Sequence, residues 1–457
     1  MRAALLIGNN FAVLVGAYEL ALRGHPVTLL TDGKPLGGHF AGMQIDGYGF
    51  DIGMVFLEKH ETVGDDPDLR TYDPDLRNDW TRFGNTAGRW MDHQVDLRPV
   101  QTPTCLVQGR IVPDYLISNR LDAFAGAAAY VDPALTFVDE RHASHKTTAA
   151  AFDGLSYAEA AKLNHGEVLH SIFIEPFVRK LLDVSSDSFL ARYHRAAWVP
   201  LFYPETLAHA QRGELITLPE YKFWTTRNGF VGQLVQNVVD RLVAMRNVTL
   251  VTQSVHSLQH EGALWTAVDE SGRAWCGEQL ALGLTPDRGH TLLGTTPYPP
   301  ATGTSVTLLF ALVKADAIGQ GHGCLMVVDE DYAAYRLCDQ DALAALKPDW
   351  HRVVLEANPN RLAKQYPGQD FGSALQQELR SLMAIEGEGA VRVLKCVTAK
   401  NALVLPTGEL VKNMAAACST FAGVTSGATL TGNLLGFGVA SLNDQIVQGL
   451  KIAEEFL

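Results

Sequence analysis

An α/β protein built from more than one domain is what this sequence predicts, and three stretches carry the prediction. The first lies at the N-terminus. Ala3 to Ile7 form a short apolar run ending in Gly8, which suits a parallel strand buried on both faces. Ala12 to Arg23 follow with helical periodicity, so that Leu14, Tyr18 and Ala21 share one face with Leu22 beside them. Gly24 stops that helix, and Pro26 to Leu30 read as a second strand. Strand, glycine, helix, glycine, strand is a Rossmann-like βαβ unit. The second stretch, residues 247–290, holds the strand candidates NVTLVTQSV, ALWTAVD and EQLALGL. The third, residues 304–357, holds SVTLLFALV, CLMVVDE and RVVLEA. Between these, residues 115–215 read as mainly helical, and the polar, acidic residues 60–80 as an exposed insertion. Leu442 to Leu457 read as an amphipathic helix behind the glycine-rich GNLLGFGVAS.

Composition narrows the function classes. A chain of 457 residues exceeds one ordinary compact core, so two or three domains are expected. The formal charge of −13 repels nucleic acid and anionic lipid, and no basic run offsets it, so no nucleic-acid partner is expected. Cys105, Cys276, Cys324, Cys338, Cys396 and Cys418 are scattered without a CxxC pair, which reads as reduced thiols and gives zinc no ligand cluster. The apolar run before Gly8 is too short for a signal peptide, and no run is long enough to span a membrane. The expectation is a soluble, cytoplasmic protein with a small-molecule substrate and no integral membrane segment, a homo-oligomer being left open. The P-loop pattern, the HExxH metalloprotease motif and the EF-hand loop are all absent from the sequence.

The N-terminal turn is where chemistry is expected. A dinucleotide-binding turn uses one glycine to turn tightly, a second to admit a pyrophosphate, and a third to pack helix on strand. The phosphate then sits on unpaired N–H groups at the helix start. Here the run is Gly8-Asn9-Asn10-Phe11-Ala12-Val13, and only the first glycine is present. Asn10 tolerates a left-handed conformation and is read as serving the turn. Val13 is expected to push the helix outward. At the end of the second strand, where an acid ordinarily meets ribose hydroxyls, stand Thr31 and then Asp32.

Other segments extend the pattern. Gly37-Gly38 follow the second strand, then Asp46-Gly47-Tyr48-Gly49-Phe50-Asp51-Ile52-Gly53. Near the C-terminus stand Gly432-Asn433 and Gly436-Phe437-Gly438-Val439, leading through Ser441-Leu442-Asn443-Asp444 into a helix. This arrangement resembles the flavin-containing amine oxidase and protoporphyrinogen oxidase superfamily, which includes phytoene desaturases and UDP-galactopyranose mutase. Phe173 to Leu182 and Trp198 to Leu207 are similar to its helical substrate-domain segments, and Thr225 to Val238 to the helix that re-enters its cofactor domain. The resemblance implies a split, Rossmann-like FAD-binding domain of residues 1–90, 225–295 and 415–457. It further implies an α+β substrate domain, a mixed sheet with a helical insertion, of residues 91–224 and 296–414.

Roles follow from the resemblance by position. Gly8, Asn10 and Phe11 fall at the pyrophosphate turn, Thr31 and Asp32 at the ribose, and Gly37 and Gly38 beside the pyrophosphate and ribityl chain. Val255 falls at the adenine, Gly432 and Asn433 at the ribityl–phosphate region, and Val439 at the flavin pyrimidine edge. A helix start at that edge would stabilise negative charge developing on the flavin. The sequence departs from the family at Asn433, in place of the common acid, and at His39, where many members carry Arg. His39 is read either as a contact to phosphate or substrate, or as filling a polar pocket.

Few side chains announce the substrate. Arg179 and Lys180 suit an anion or a solvated helix face, and Arg336 suits a substrate carboxylate or phosphate, or a structural salt bridge. Trp224 and Arg227 precede the re-entry helix and are candidates for a cavity wall, Trp224 being equally a core residue. Met54, His194 and Arg195 remain ambiguous. The leading reading is an FAD-dependent oxidoreductase of the amine oxidase or protoporphyrinogen oxidase type, moving a hydride from a small organic substrate to flavin. The alternatives are a non-redox flavoenzyme of the sugar-ring mutase type and a cofactor-free binding or scaffold protein that keeps the fold.

Overall fold

The apolar run at the N-terminus is fully buried because it forms the middle of a parallel sheet. The structure, a computed structural model, describes residues 2–59, 82–101, 103–113, 154–197, 199, 223–295, 301–424, 428–436, 438 and 440–456. The strand Ala4–Gly8 pairs in parallel with Val27–Leu30 on one side and Gln279–Gly283 on the other. Val248–Val251 and Ala428–Leu430 extend the sheet outward, giving five strands. Chain order therefore runs one way from Ala4–Gly8 and then reverses at Gln279–Gly283. Such a reversal opens a crevice at the carboxyl ends of the strands, where open α/β sheets place their ligands. Segments far apart in the chain meet at that edge: Gly8, Thr31, Gly283 and Thr431.

The first helix, Phe11–Leu22, is buried almost all round rather than along one stripe. It lies between the sheet and the C-terminal helix Leu442–Glu455, and the two helices touch closely. A β-carbon on Gly449 would stand 2.5 Å from Val15, and one on Gly16 would stand 3.0 Å from Ile452. Leu22, placed beside the buried face in the sequence reading, is instead 56% exposed, because it lies past the end of this contact.

Val13 finds its room in the sheet. Gly8 and Gly283 are register partners, and a β-carbon on Gly283 would stand 2.3 Å from Val13 Cγ2 and 2.6 Å from Asn10 Oδ1. The missing side chain at Gly283 is thus where Val13 and Asn10 fit. Val13 itself is completely buried. Asn10 corrects a second expectation. It is not left-handed but extended, with φ −68° and ψ 162°, and it caps the helix by accepting a hydrogen bond from Val13 N–H at 2.9 Å. A cap of this kind stabilises a helix by about 1 kcal/mol.

Around the parallel sheet the described residues build four further sheets, one of them the two-stranded pair Met43–Ile45 with Tyr48–Phe50. Val255–Glu261, Leu264–Asp269 and Ala274–Gly277 form an antiparallel three-stranded sheet. Leu57–Glu58, Phe223–Thr226 and Leu97–Pro99 form a second. A seven-stranded mixed sheet runs in the order Val391–Val404, Gly303–Lys314, Trp350–Ala357, Ala334–Asp339, Cys324–Val327, Thr104–Val107, Arg110–Pro113. Its pairs are antiparallel except Cys324–Val327 with Thr104–Val107. Phe310, Tyr335 and Val354 from this sheet share one core with Phe177 and Leu181 of the helix Glu175–Leu182. The strands expected within 247–290 and 304–357 are all present. The re-entry segment begins as strand, and its helix spans Gly232–Val243. The expected insertion at 60–80, and residues 198 and 200–207 of the WVPLFYPETL segment, lie outside the described residues. So does most of the expected helical stretch, though its described part holds the helices Tyr157–Leu169 and Glu175–Leu182.

Replacing Gly283 with Ala forces a β-carbon onto Val13 and Asn10. Gly283→Ala is expected to lower stability by about 1–3 kcal/mol, measured by urea denaturation. Adding Val13→Ala should recover part of that loss, so the two changes should be non-additive.

Candidate functional site

The crevice at the sheet reversal is lined by three glycine-containing loops and the capped end of the first helix. Gly37 and Gly38 both have positive φ, 88° and 57°. Gly37 is held by Val235 of the helix Gly232–Val243, whose Cγ1 stands 2.2 Å from where a β-carbon would be. That helix is itself fixed by Asp51, which accepts from Val231 N–H and Gly232 N–H, each at 3.1 Å. Gly38 then faces the first turn, its β-carbon position 4.0 Å from Asn10 Cα and from Asn9 O. Asn9 Nδ2 ties the two loops by donating to Pro35 O at 3.0 Å.

Side chains already hold several polar groups of this crevice. Ala12 N–H donates to Gln445 Oε1 of the C-terminal helix at 3.1 Å, and Gln445 Nε2 donates to Asn433 Oδ1 at 3.1 Å. Gly432 N–H donates to Gln448 Oε1 at 2.9 Å, and Gln448 Nε2 donates back to Gly432 O at 3.1 Å. Asn10 Nδ2 reaches Thr431 O and Oγ1, both at 3.3 Å. At the end of the second strand, Asp32 turns left-handed at φ 53° and accepts from Val255 N–H at 2.9 Å. Arg288 completes the arrangement, donating to Asp32 at 3.0 and 3.2 Å and to Val255 O at 2.7 Å. Burial works against the charge on Asp32, yet Arg288 and the Val255 N–H hold its carboxyl below the usual range. Thr31 is the exception: it is buried, and its hydroxyl has no hydrogen-bond partner among the described residues.

The structure thus brings Gly8, Asn10, Phe11, Thr31, Asp32, Gly37, Gly38, Val255, Gly432 and Asn433 to one edge of the sheet or to loops tied to it. Phe11 is a packing residue there, fully buried with its ring edge-on to Phe40 and Trp90. Val439 lies outside the described residues. His39 is exposed, with its ring against Phe40 at 3.8 Å between centroids. His194 is half-buried, its Nδ1 2.8 Å from Ala191 O. The protein packed around them holds both imidazoles below their usual pKa.

The expected substrate residues fare differently. Arg336 is a structural ion pair: it is buried and makes two parallel 2.6 Å bonds to Glu356, which also accepts from Tyr335 Oη at 3.2 Å. Arg179 is exposed and pairs with Glu175 at 2.6 Å one helical turn away. Its neighbour Lys180 is buried, donating to Val327 O at 2.8 Å and Asp329 O at 2.7 Å. Arg227 is exposed beside Asp96. Met54 is buried with its sulfur 3.2 Å from Cys324 Sγ. Arg195 pairs with buried Glu58. Trp224 is partly buried, under the Lys59 ammonium at 5.0 Å, and its indole N–H has no partner. No group of His, Cys, Asp or Glu among the described residues could hold a metal ion.

Sequence reasoning missed Gln445, Gln448, Arg288 and Gly283. The first two left a trace: they lie three residues apart on the buried face of the tail helix, where an amphipathic pattern calls for apolar side chains. Arg288 and Gly283 left none, since nothing local marks what they oppose.

A FAD-type dinucleotide can be tested against this frame. The turn of residues 8–12, the Gly37–Gly38 loop and the Val255 backbone offer donors and acceptors of the kind it needs, and among the described residues the buried Thr31 hydroxyl has no partner. The backbone therefore fits. The contacts at Ala12 and Val255 are made by the side chains of Gln445, Asp32 and Arg288.

Fold and crevice together define a doubly wound α/β protein with an open crevice at its sheet reversal. No family model and no curated protein matches this sequence. Among solved structures, the chain is similar to a reduced UDP-galactopyranose mutase, at 15% identity over 100% of this chain and 95% of that one, with a TM-score of 0.71. It is also similar to an Exiguobacterium sp. protein described as a protoporphyrinogen oxidase (16% identity, 100% and 98% covered, TM-score 0.63). A third is cyclohexylamine oxidase from Brevibacterium oxydans (16% identity, 100% and 99% covered, TM-score 0.61). At these identities the likeness establishes the fold, which is the mixed α/β fold of the amine oxidase-like flavoproteins.

Removing Arg336 leaves a buried carboxylate unpaired. Arg336→Ala is expected to cost about 3–5 kcal/mol of stability, and Arg336→Leu with Glu356→Leu together much less, both read by chemical denaturation.

Proposed function

We propose that this chain is a flavoprotein that binds FAD along the crevice and oxidises a small organic substrate. The observation that carries the reading is the left-handed Gly37–Gly38 turn set against Asn9 and Asn10 at the sheet reversal. The two glycines there present backbone rather than side chains to an extended phosphate-bearing ligand. The division into a cofactor part of residues 1–90, 225–295 and 415–457 and a substrate part of residues 91–224 and 296–414 belongs to this reading. When bound, FAD would supply the hydride-accepting chemistry.

The chain's own residues would do the rest. The first helix would direct its N-terminal N–H groups toward the pyrophosphate, Thr31 would meet a ribose hydroxyl, and the Val255 backbone would meet the adenine edge. His39 and His194, kept neutral near pH 7 by their surroundings, would offer hydrogen bonds to a substrate without adding charge. Among the described residues no helix is long and apolar enough to cross a membrane, which agrees with a small-molecule substrate taken from water. The side chains already bonded to Ala12, Val255 and Gly432 favour a second reading, a scaffold that keeps the fold without the cofactor.

Purification decides between the two. The flavoprotein reading expects protein that is yellow, or that becomes so on adding FAD, with the flavin released on denaturation. Protein that stays colourless with excess FAD would leave the scaffold reading. Gly38→Val, which places a branched side chain at a left-handed position beside Asn9 and Asn10, should weaken FAD retention at least about tenfold and also lower stability, so flavin absorbance per folded chain is read beside the melting temperature.

A further inference from the structure

We infer that the chain carries its own stand-ins for the dinucleotide and keeps the site closed with them until FAD displaces them; this rests on the flavoprotein reading above. Of the crevice's backbone groups bonded to side chains, three hold side chains with the polarity of the ligand group each would replace. Ala12 N–H, a donor suited to a phosphate oxygen, holds the Gln445 carbonyl oxygen at 3.1 Å. Val255 N–H, a donor suited to a ring nitrogen, holds the Asp32 carboxylate at 2.9 Å. Val255 C=O, an acceptor suited to an exocyclic amine, takes an Arg288 N–H at 2.7 Å. A carboxamide thus takes the place of the phosphate, and an Asp–Arg pair takes the place of the base edge.

The stand-ins are braced against one another. Gln445 is anchored through Asn433, and Arg288 grips Asp32 with two bonds. The frame does not depend on them. The first helix keeps its own Asn10 cap, and the Val255 strand keeps its pairing with Leu264–Asp269. Thr31 shows the contrast, because no side chain replaces the ribose and its hydroxyl is left without a partner.

Binding is then an exchange of hydrogen bonds. Each N–H or C=O loses one partner and gains another, so the net gain per group is small. Apparent affinity is the intrinsic affinity multiplied by the fraction of molecules in which the stand-ins have swung away. Arg288 is partly exposed and can turn into solvent. Gln445 is buried and leaves together with the Asn433 loop.

The test uses the full chain, stripped of nucleotide, titrated with FAD and separately with ADP, which lacks the flavin. Wild type is compared with Gln445→Ala, with Asp32→Ala/Arg288→Ala, and with the triple combination. The triple variant is expected to bind FAD at least about tenfold more tightly than wild type, and ADP by a similar factor. Gln445→Glu provides the opposite sign. It keeps an acceptor on Ala12 N–H but puts a negative charge where the phosphate must come, so it should bind FAD more weakly than wild type. A merely structural glutamine would make Gln445→Ala and Gln445→Glu move affinity in the same direction. Melting temperatures separate loss of fold from loss of binding. If wild type binds FAD and the triple variant binds it equally or more weakly, the stand-ins do not close the site, and the flavoprotein reading survives without them. If no form binds FAD or ADP, both fall.

Discussion

Gly8 and Gly283 meet edge to edge at the carboxyl end of the central strands, and much of the molecule is arranged around the space they leave. A side chain on Gly283 would occupy the volume that Val13 and Asn10 fill. Because that volume is free, the first helix can begin directly above the sheet with a valine where close packing would ordinarily call for a glycine. The glycine has moved from the helix to the strand it faces. The same packing lets the first helix press on the C-terminal helix, which in turn brings Gln445 and Gln448 to the crevice.

A second economy runs through the polar groups. Buried N–H and C=O groups are costly to leave unpaired. Around this crevice the protein satisfies most of them with side chains: Gln445 on Ala12, Gln448 on Gly432, Asp32 and Arg288 on Val255. A ligand would enter this network by substitution, and Thr31 is the position where it would only add. The large mixed sheet follows the same rule, since Glu356 fixes Arg336 and Tyr335 at its centre. That is why Arg336, which the sequence leaves open between a substrate contact and a structural salt bridge, is a buried crosslink.

The sequence alone determined the parts whose signal is local. The N-terminal βαβ unit, the strands within 247–290 and 304–357, and the tail helix all follow from periodicity and from glycine and proline punctuation, because each is specified by neighbours along the chain. The paired glycines at 37–38 were legible for the same reason: a left-handed turn needs residues of that kind wherever it occurs. Only the tertiary structure decided what opposes what. Val13 looks like a defect until Gly283 is placed beneath it, Asp32 shows no partner until Arg288 is brought beside it, and Arg336 stays open between substrate contact and salt bridge until Glu356 appears on the next strand. In each case the deciding partner is remote in the chain, so no local pattern records it. The role of such a residue is set by the pair, and the pair exists only once the chain has folded.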